Sequence, residues 1–206
     1  MSDIKPHLKV GIHRLYSSDK NKIRAHFMRL DAESRRSRFC GTVSDGEVVR
    51  YVDEIFGHDS IICGALIDGK LRGIAELRGV YYARPAATEI AFSVEKDWQN
   101  RGIGDALFDR VFAIAQNRGV RMLHMLCLRD NNRMKRIAVK HNAEVSYGLD
   151  GMEAVLRPDW PTPLSIAQEV MGETSGYVYD MTARSCMALL QAGRKAMQAL
   201  AVRPAS

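Results

Sequence analysis

The 206 residues are 46% hydrophobic and 26% charged, a balance that argues against a disordered or fibrous chain and suffices for one sizeable core. Thirty basic and 24 acidic side chains leave a net charge of +6, which favours anionic ligands without choosing among them. Four singly scattered cysteines, no apolar run of about 18 residues, and no basic-then-apolar leader at Met1-Ser2-Asp3-Ile4-Lys5-Pro6-His7 argue against zinc or disulfide staples, a membrane span and secretion. The expectation is a cytoplasmic, metal-free protein of one domain with a terminal appendage and no membrane partner.

Residues 10–16 read as a short strand, and Ser18-Asp19 caps a helix over about 20–31 whose Ile23, Phe27 and Leu30 recur at helical spacing. A loop carrying Arg35-Arg36-Ser37-Arg38 follows. That cluster lacks aromatic stacking residues at useful spacing, so nucleic-acid binding is not expected. Ser44 with Glu47 forms a capping box for a second helix, through Val48, Val52 and Ile55 to about Phe56. Ser60 to Ile67 reads as a strand that turns at Asp68-Gly69 into a strand over Leu71 to Tyr82, and 88–94 gives another. Three strands with short connections predict an antiparallel meander.

The period then changes. Ile103, Leu107, Val111 and Ile114 lie on one face of a helix that Gly119 ends, Met122 to Leu128 is a strand, and Asp130 or Asn131 caps a helix through about Asn142. Glu144 to Leu156 holds a final strand pair broken near Gly151. Strand, crossover helix and strand in this order imply parallel pairing, so the fold class is α+β with a mixed, mostly antiparallel sheet flanked by helices.

Between the strand ending at Val94 and the long helix lies Gln99-Asn100-Arg101-Gly102-Ile103-Gly104. Its glycines leave amides uncovered at the positive end of the helix, where they can surround a pyrophosphate, with Arg101 adding a charge-assisted contact. The segment is neither the three-glycine dinucleotide fingerprint nor a triphosphate loop with its lysine and hydroxyl ending.

Gln99, Gly102 and Gly104 fit the signature glutamine or arginine, two residues, glycine, one residue, glycine or alanine. On these residues the chain resembles the GNAT superfamily of acetyl-CoA-dependent N-acetyltransferases. Asn131, Met134 and Ile137 match the pattern of the helix that flanks the coenzyme, and Asn142-Ala143 stands where a glycine-phenylalanine pair is common. The resemblance covers about residues 11 to 157. It implies acetyl-CoA as donor, held by Gln99, Asn100, Arg101, Gly102, Ile103 and Gly104, flanked by Phe92 and Val94 and with Asn131 either on the coenzyme arm or simply capping its helix. A narrower likeness to the catalytic domain of bacterial protein-lysine acetyltransferases runs through Arg24-Ala25-His26-Phe27-Met28-Arg29-Leu30, Arg38-Phe39, Glu89 to Val94 and Trp98-Gln99.

Transfer of acetyl to an amine needs a neutral nitrogen, whereas a free lysine amine has a pKa of about 10.4. A general base or a desolvating cleft is therefore required. Alternation puts Glu89, Ala91 and Ser93 on one strand face, and Glu89, three residues before Phe92, matches the glutamate base of the better-studied relatives. Glu76 on the preceding hairpin is the reserve base or an orienting group. The tyrosine that many relatives use to protonate the thiolate falls at Ala138, which leaves Tyr147 as the replacement acid or a packed strand aromatic. His124, in the apolar run Met122-Leu123-His124-Met125-Leu126, reads as a core or sheet-face histidine with satisfied nitrogens.

Pro158, Pro161 and Pro163 end the sheet-forming region. The boundaries are thus an acetyltransferase domain over 10–160 and a helical extension over 161–206, with helices at Leu164 to Met171 and Met181 to Val202, the latter packing on the domain or on a second subunit as a homodimer. The acceptor is an amine: a protein lysine or a small polyamine, amino sugar or amino acid. A noncatalytic acyl-CoA-sensing module is the competing reading.

Overall fold

In the computed structural model, the residues described are 10–57, 59–80, 87–148, 151–167 and 169–171. The first strand, β1, spans Gly11–Leu15 and is followed by helices α1 (Lys20–Arg29), α2 (Ala32–Phe39) and α3 (Asp45–Glu54). Strands β2 (Ile61–Ile67), β3 (Lys70–Arg78) and β4 (Ala87–Val94) lead into α4 (Ile103–Asn117), β5 (Met122–Cys127), α5 (Asn132–Lys140), β6 (Glu144–Tyr147) and β7 (Met152–Leu156). They build one seven-stranded sheet in the order β1-β2-β3-β4-β5-β7-β6.

The predicted class holds. The β4–β5 ladder is parallel because the α4 crossover returns the chain in the same direction, and the other ladders among the described residues are antiparallel. Asp68 and Gly69 both take positive φ (50° and 71°), as the tight β2–β3 hairpin requires. Ser44 accepts from the Glu47 amide while the Glu47 carboxylate accepts from Ser44 N–H at 2.8 Å, so the capping box that starts α3 is formed.

The sheet separates two cores. On one face Ile23 and Phe27 of α1 and Val48 and Val52 of α3 pack against Ile62 and Ile74. On the other, Leu107, Phe108, Val111 and Ile114 of α4 cover Ala75, Leu77 and Ile90. Each such side chain contributes about 1.5–3 kcal/mol on burial, so the two helix layers clamp β3 and β4, the strands that carry the site, from both sides.

One element departs from the sequence reading. The basic cluster is not on a loop but on α2, whose N-cap Asp31 accepts from the Ser34 amide and whose C-cap Cys40 is left-handed. Its buried residues are Ser34 and Arg38, so it has no apolar stripe to be recognised by. Its arginines are engaged: Arg35 pairs with Asp45, Arg36 with Asp130 and Arg38 with Glu76.

Beyond the sheet, 163–167 and 169–171 are helical and lie along α4. Asn117 donates to the Ser165 carbonyl and the Glu169 carboxylate, Arg118 pairs with Glu169 at 3.1 Å, and Arg110 donates to the Glu169 carbonyl. The helix expected over 181–202 lies outside the described residues. Among the described residues no helix is long and apolar enough to cross a membrane.

Candidate active site

The site forms where β4 and β5 part. Their pairing runs from Ala87↔Met122 to Glu89↔His124 and stops, while β4 continues to Val94 bonded only to β3 and β5 continues to Cys127 bonded only to β7. A fork opens between the unpaired halves.

The turn after β4 enters α4 through two left-handed residues, Asn100 (φ 57°) and Gly102 (φ 79°), the latter being the N-cap. A Cβ on Gly102 would meet nothing within 4 Å, so glycine is needed there for its backbone conformation rather than for want of space. A Cβ on Gly104 would lie 3.3 Å from Ile137 Cδ1, where α4 and α5 approach. The helix's first bond joins Ala106 N–H to the Gly102 carbonyl, leaving the amides of Ile103, Gly104 and Asp105 without a helical partner. Gln99 spans the turn, its Nε2 donating to the Val94 carbonyl (2.9 Å) and to the Ser34 hydroxyl of α2 (3.0 Å).

A cavity of about 460 Å³ opens on this turn. Phe92 and Val94 of β4, the predicted turn residues Gln99, Asn100, Gly102 and Gly104, and Asn131 all line it. Ser34 and Ser37 of α2 and Ser93 of β4 complete that side. The far wall is α5, which contributes Met134 and Ile137 and a row of cations at i, i+3 and i+7: Arg133, Arg136 and Lys140. Their partners are weak or exposed: Glu33 at 3.4 Å, the Asn100 amide oxygen at 3.3 Å and Asp105 at 3.2 Å. Pairs of that kind contribute at most about 1 kcal/mol, which leaves the row available to an anionic ligand.

Two predicted turn residues do not line the cavity. The Arg101 guanidinium lies over the Trp98 ring, 4.9 Å from its centroid, and Ile103 is buried in the core beneath α4. The cations that face the cavity were missed because only the fold brings α5 against the turn; their spacing on the helix after Asn131 was the available signal. Asn131 Oδ1 accepts from the Met134 amide at 3.2 Å, so its side chain acts as the N-cap of α5 while also reaching the wall. Asn142 takes φ 56°, the left-handed exit for which glycine is common.

The three predicted acid–base residues are not brought together. Glu76 is 1% exposed on β3 and accepts from Arg38, Arg78, Tyr51 and Ser60. Burial alone would raise its carboxyl, but Arg38 and Arg78 hold it below the usual range, which makes it a poor proton acceptor. Burial pushes the Tyr51 phenol up to about 12, so it stays a donor to Glu76. Tyr147 is 59% exposed on β6, with the Lys135 ammonium 5.4 Å from its ring centroid. Glu89, half-buried, makes no hydrogen bond or close ion pair among the described residues. Arg78, its partner across β3–β4, acts on it at longer range. It sits at the fork, on the strand face that it shares with Ser93 in the cavity wall.

His124 lies on a sheet face, as its sequence reading has it, but with only one of its nitrogens engaged. Its Nδ1 lies 2.7 Å from Glu153 Oε1 of β7, its side chain is 25% exposed, and its Nε2 makes no hydrogen bond among the described residues. Behind the cavity, the buried Ser93 hydroxyl lies 2.9 Å from His26 Nε2, and His26 shares Glu95 with Arg29 and Arg72. Among the described residues no group of three or more histidine, cysteine or acidic side chains is arranged to hold a metal ion.

Residues 12–141 match the sequence profile of the Acetyltransferase (GNAT) family. No curated protein is significantly similar in sequence. Among solved structures, the GNAT domain of S. lividans PAT superposes with a TM-score of 0.61 at 21% identity, covering 72% of this chain and 90% of that one. YncA from Salmonella typhimurium, solved with its cofactor acetyl-CoA, gives 0.59 at 14% identity over 75% and 96% of the two chains. PaiA N-acetyltransferase from Thermoplasma acidophilum, in complex with coenzyme A, gives 0.55 at 16% identity over 72% and 99%.

Proposed function

The chain belongs to the acetyltransferase (GNAT) family, and from that premise we propose that it transfers acetyl from acetyl-CoA to a primary amine, with a protein lysine as the acceptor. The observation that carries this reading is the continuity of the cavity. It begins at the free amides of the α4 N-terminus, passes the α5 cations and ends along the unpaired half of β4 beside the fork.

Acetyl-CoA is an anion at one end and a thioester at the other, and both ends find matching surroundings. The amides of Ile103, Gly104 and Asp105 and the left-handed turn at Asn100 and Gly102 suit the pyrophosphate, because unpaired N–H groups and the helix dipole point at it. Arg133, Arg136 and Lys140 add countercharge, with Lys140 also offsetting Asp105, whose carboxylate would otherwise repel phosphate. Phe92, Val94 and Met134 give the pantetheine an apolar wall. When bound, acetyl-CoA supplies the activated acyl group; the protein's task is to bring a neutral amine to it.

Glu89 is the proton acceptor in this reading, since it stands at the fork without a close cation, whereas Glu76 is held by two. Among the described residues, the exposed Leu126 (51%) of β5 and the mostly exposed β6 favour a large substrate on the acceptor side. The test is acetyl-CoA consumption with a pool of small amines and with cell protein extract, followed by mass analysis. Acetylated protein lysine is expected. Labelling confined to a small amine would replace the acceptor class, and no turnover with intact acetyl-CoA binding would replace the enzyme by a binding module.

A further inference from the structure

A primary amine that arrives as an ammonium ion gives up two protons on its way to an amide. One leaves before the nitrogen attacks, the other from the tetrahedral intermediate; the coenzyme A thiolate takes up one and water takes the other. Each proton needs an acceptor near the reacting carbon as it leaves, and one carboxylate holds only one at a time.

The fork holds a second. His124 is opposite Glu89 in the last register that joins β4 and β5, so the two side chains are neighbours on one sheet face, at the closed end of the gap. Glu153 on β7 fixes the imidazole through Nδ1 at 2.7 Å, which leaves Nε2 as the lone-pair nitrogen, and the ring is partly exposed. A histidine held at Nδ1 by a carboxylate is oriented as a general base.

We propose that His124, aligned by Glu153, removes the first proton from the incoming ammonium, and that Glu89 removes the second. This rests on the acetyl-transfer reading and deepens it. The ammonium N–H proton moves to Nε2 and then to water; the freed amine attacks the thioester carbon. The C–S bond of the resulting intermediate breaks as its N–H proton goes to Glu89, which returns it to the thiolate. The order follows from position: His124 is held by Glu153 beside the incoming ammonium, while Glu89 lies on β4, the strand that runs into the cavity wall.

Among the described residues, the charged and titratable groups on the elements beside the ring are Glu89 on β4, Glu153 on β7, Arg78 on β3, the Arg36–Asp130 pair and the neutral Cys40 thiol at the α2 side, and Glu144 with Arg157 at the β6 side. The two nearest are the carboxylates of Glu89 and Glu153.

The test measures kcat/KM against pH for the full chain with acetyl-CoA and two acceptors, a blocked lysine peptide and spermidine. His124→Gln is expected to be about 100-fold slower at pH 7, with the deficit closing to within about 3-fold near pH 10, where roughly a quarter of the acceptor amine is already neutral. Its acetyl-CoA affinity should be unchanged. A deficit that is constant across pH, or none, overturns the role of His124 while leaving acetyl transfer in place; no transfer by the unmodified protein to either acceptor removes the reading it rests on. In the unmodified protein, the His124 ring titration followed by NMR should coincide with the acidic limb of kcat/KM. A mismatch of more than about one pH unit overturns the proposal whether or not the variant folds.

Discussion

Glu95, at the end of β4, lies 3.2 Å from Nδ1 of the fully buried His26 of α1, and through that contact the strand that carries the site is tied to the helix layer behind it. Burial would raise the Glu95 carboxyl, but hydrogen bonds from His26, Arg29 and Arg72 hold it down to about 2. A carboxyl depressed on folding stabilises above its unfolded pKa, about 4.3, and loses that stabilisation as pH falls through the folded value. Burial also lowers the His26 pKa, so acid must charge a buried ring from below about pH 6.5 downward. We expect stability on the order of 3 kcal/mol to disappear between about pH 5 and pH 2. Chemical denaturation of the protein and of Glu95→Gln over that range checks it: the variant starts less stable at pH 7 and shows a flatter acid slope. Parallel slopes would contradict the assignment.

Gly102→Glu and Gly104→Glu should each weaken acetyl-CoA binding at least about 10-fold, about 1.4 kcal/mol, by placing a carboxylate beside the free amides. Gly102→Ala separates backbone from charge. Its positive φ makes alanine cost about 1 kcal/mol of stability, yet the open space around it leaves coenzyme affinity within a few-fold. Calorimetric titration on folded variants, with unchanged affinity for both glutamates, would move the pyrophosphate elsewhere.

Glu89→Gln and Glu76→Gln are expected to fail in different ways. The first removes a carboxylate without a close partner, so melting should barely change while turnover falls about 100-fold or more with acetyl-CoA affinity retained. The second leaves Arg38 and Arg78 beside a neutral amide, and should destabilise by about 3 kcal/mol. Equal loss of stability in both would show that Glu89 is structural.

Replacing Arg136 and Lys140 together by alanine should weaken acetyl-CoA binding by about 3- to 10-fold at low salt, and the difference should shrink in about 0.5 M salt as screening removes exposed charge. A salt-independent loss would mean that the two residues shape the cavity and do not act by charge.

Several features were legible in the sequence because they are local. The Ser44–Glu47 capping box, the Asp68-Gly69 turn, the apolar face of α4 and the left-handed Asn142 each depend on residues within a few positions of one another. The order strand, turn, helix, strand, helix was enough to place Gln99, Gly102 and Gly104 on one turn. What only the tertiary structure decided depends on contacts between distant segments. Glu76 meets Arg38 across 38 positions and becomes an ion-pair partner; Arg101 turns onto Trp98, and Arg133, Arg136 and Lys140 face the cavity in its place. His124 finds Glu153 across 29 positions. Periodicity assigns a residue to a face of its own element, but the charge and solvent it meets there belong to whichever element the sheet order sets beside it, and β5 lies between β4 and β7 only once the whole sheet has formed.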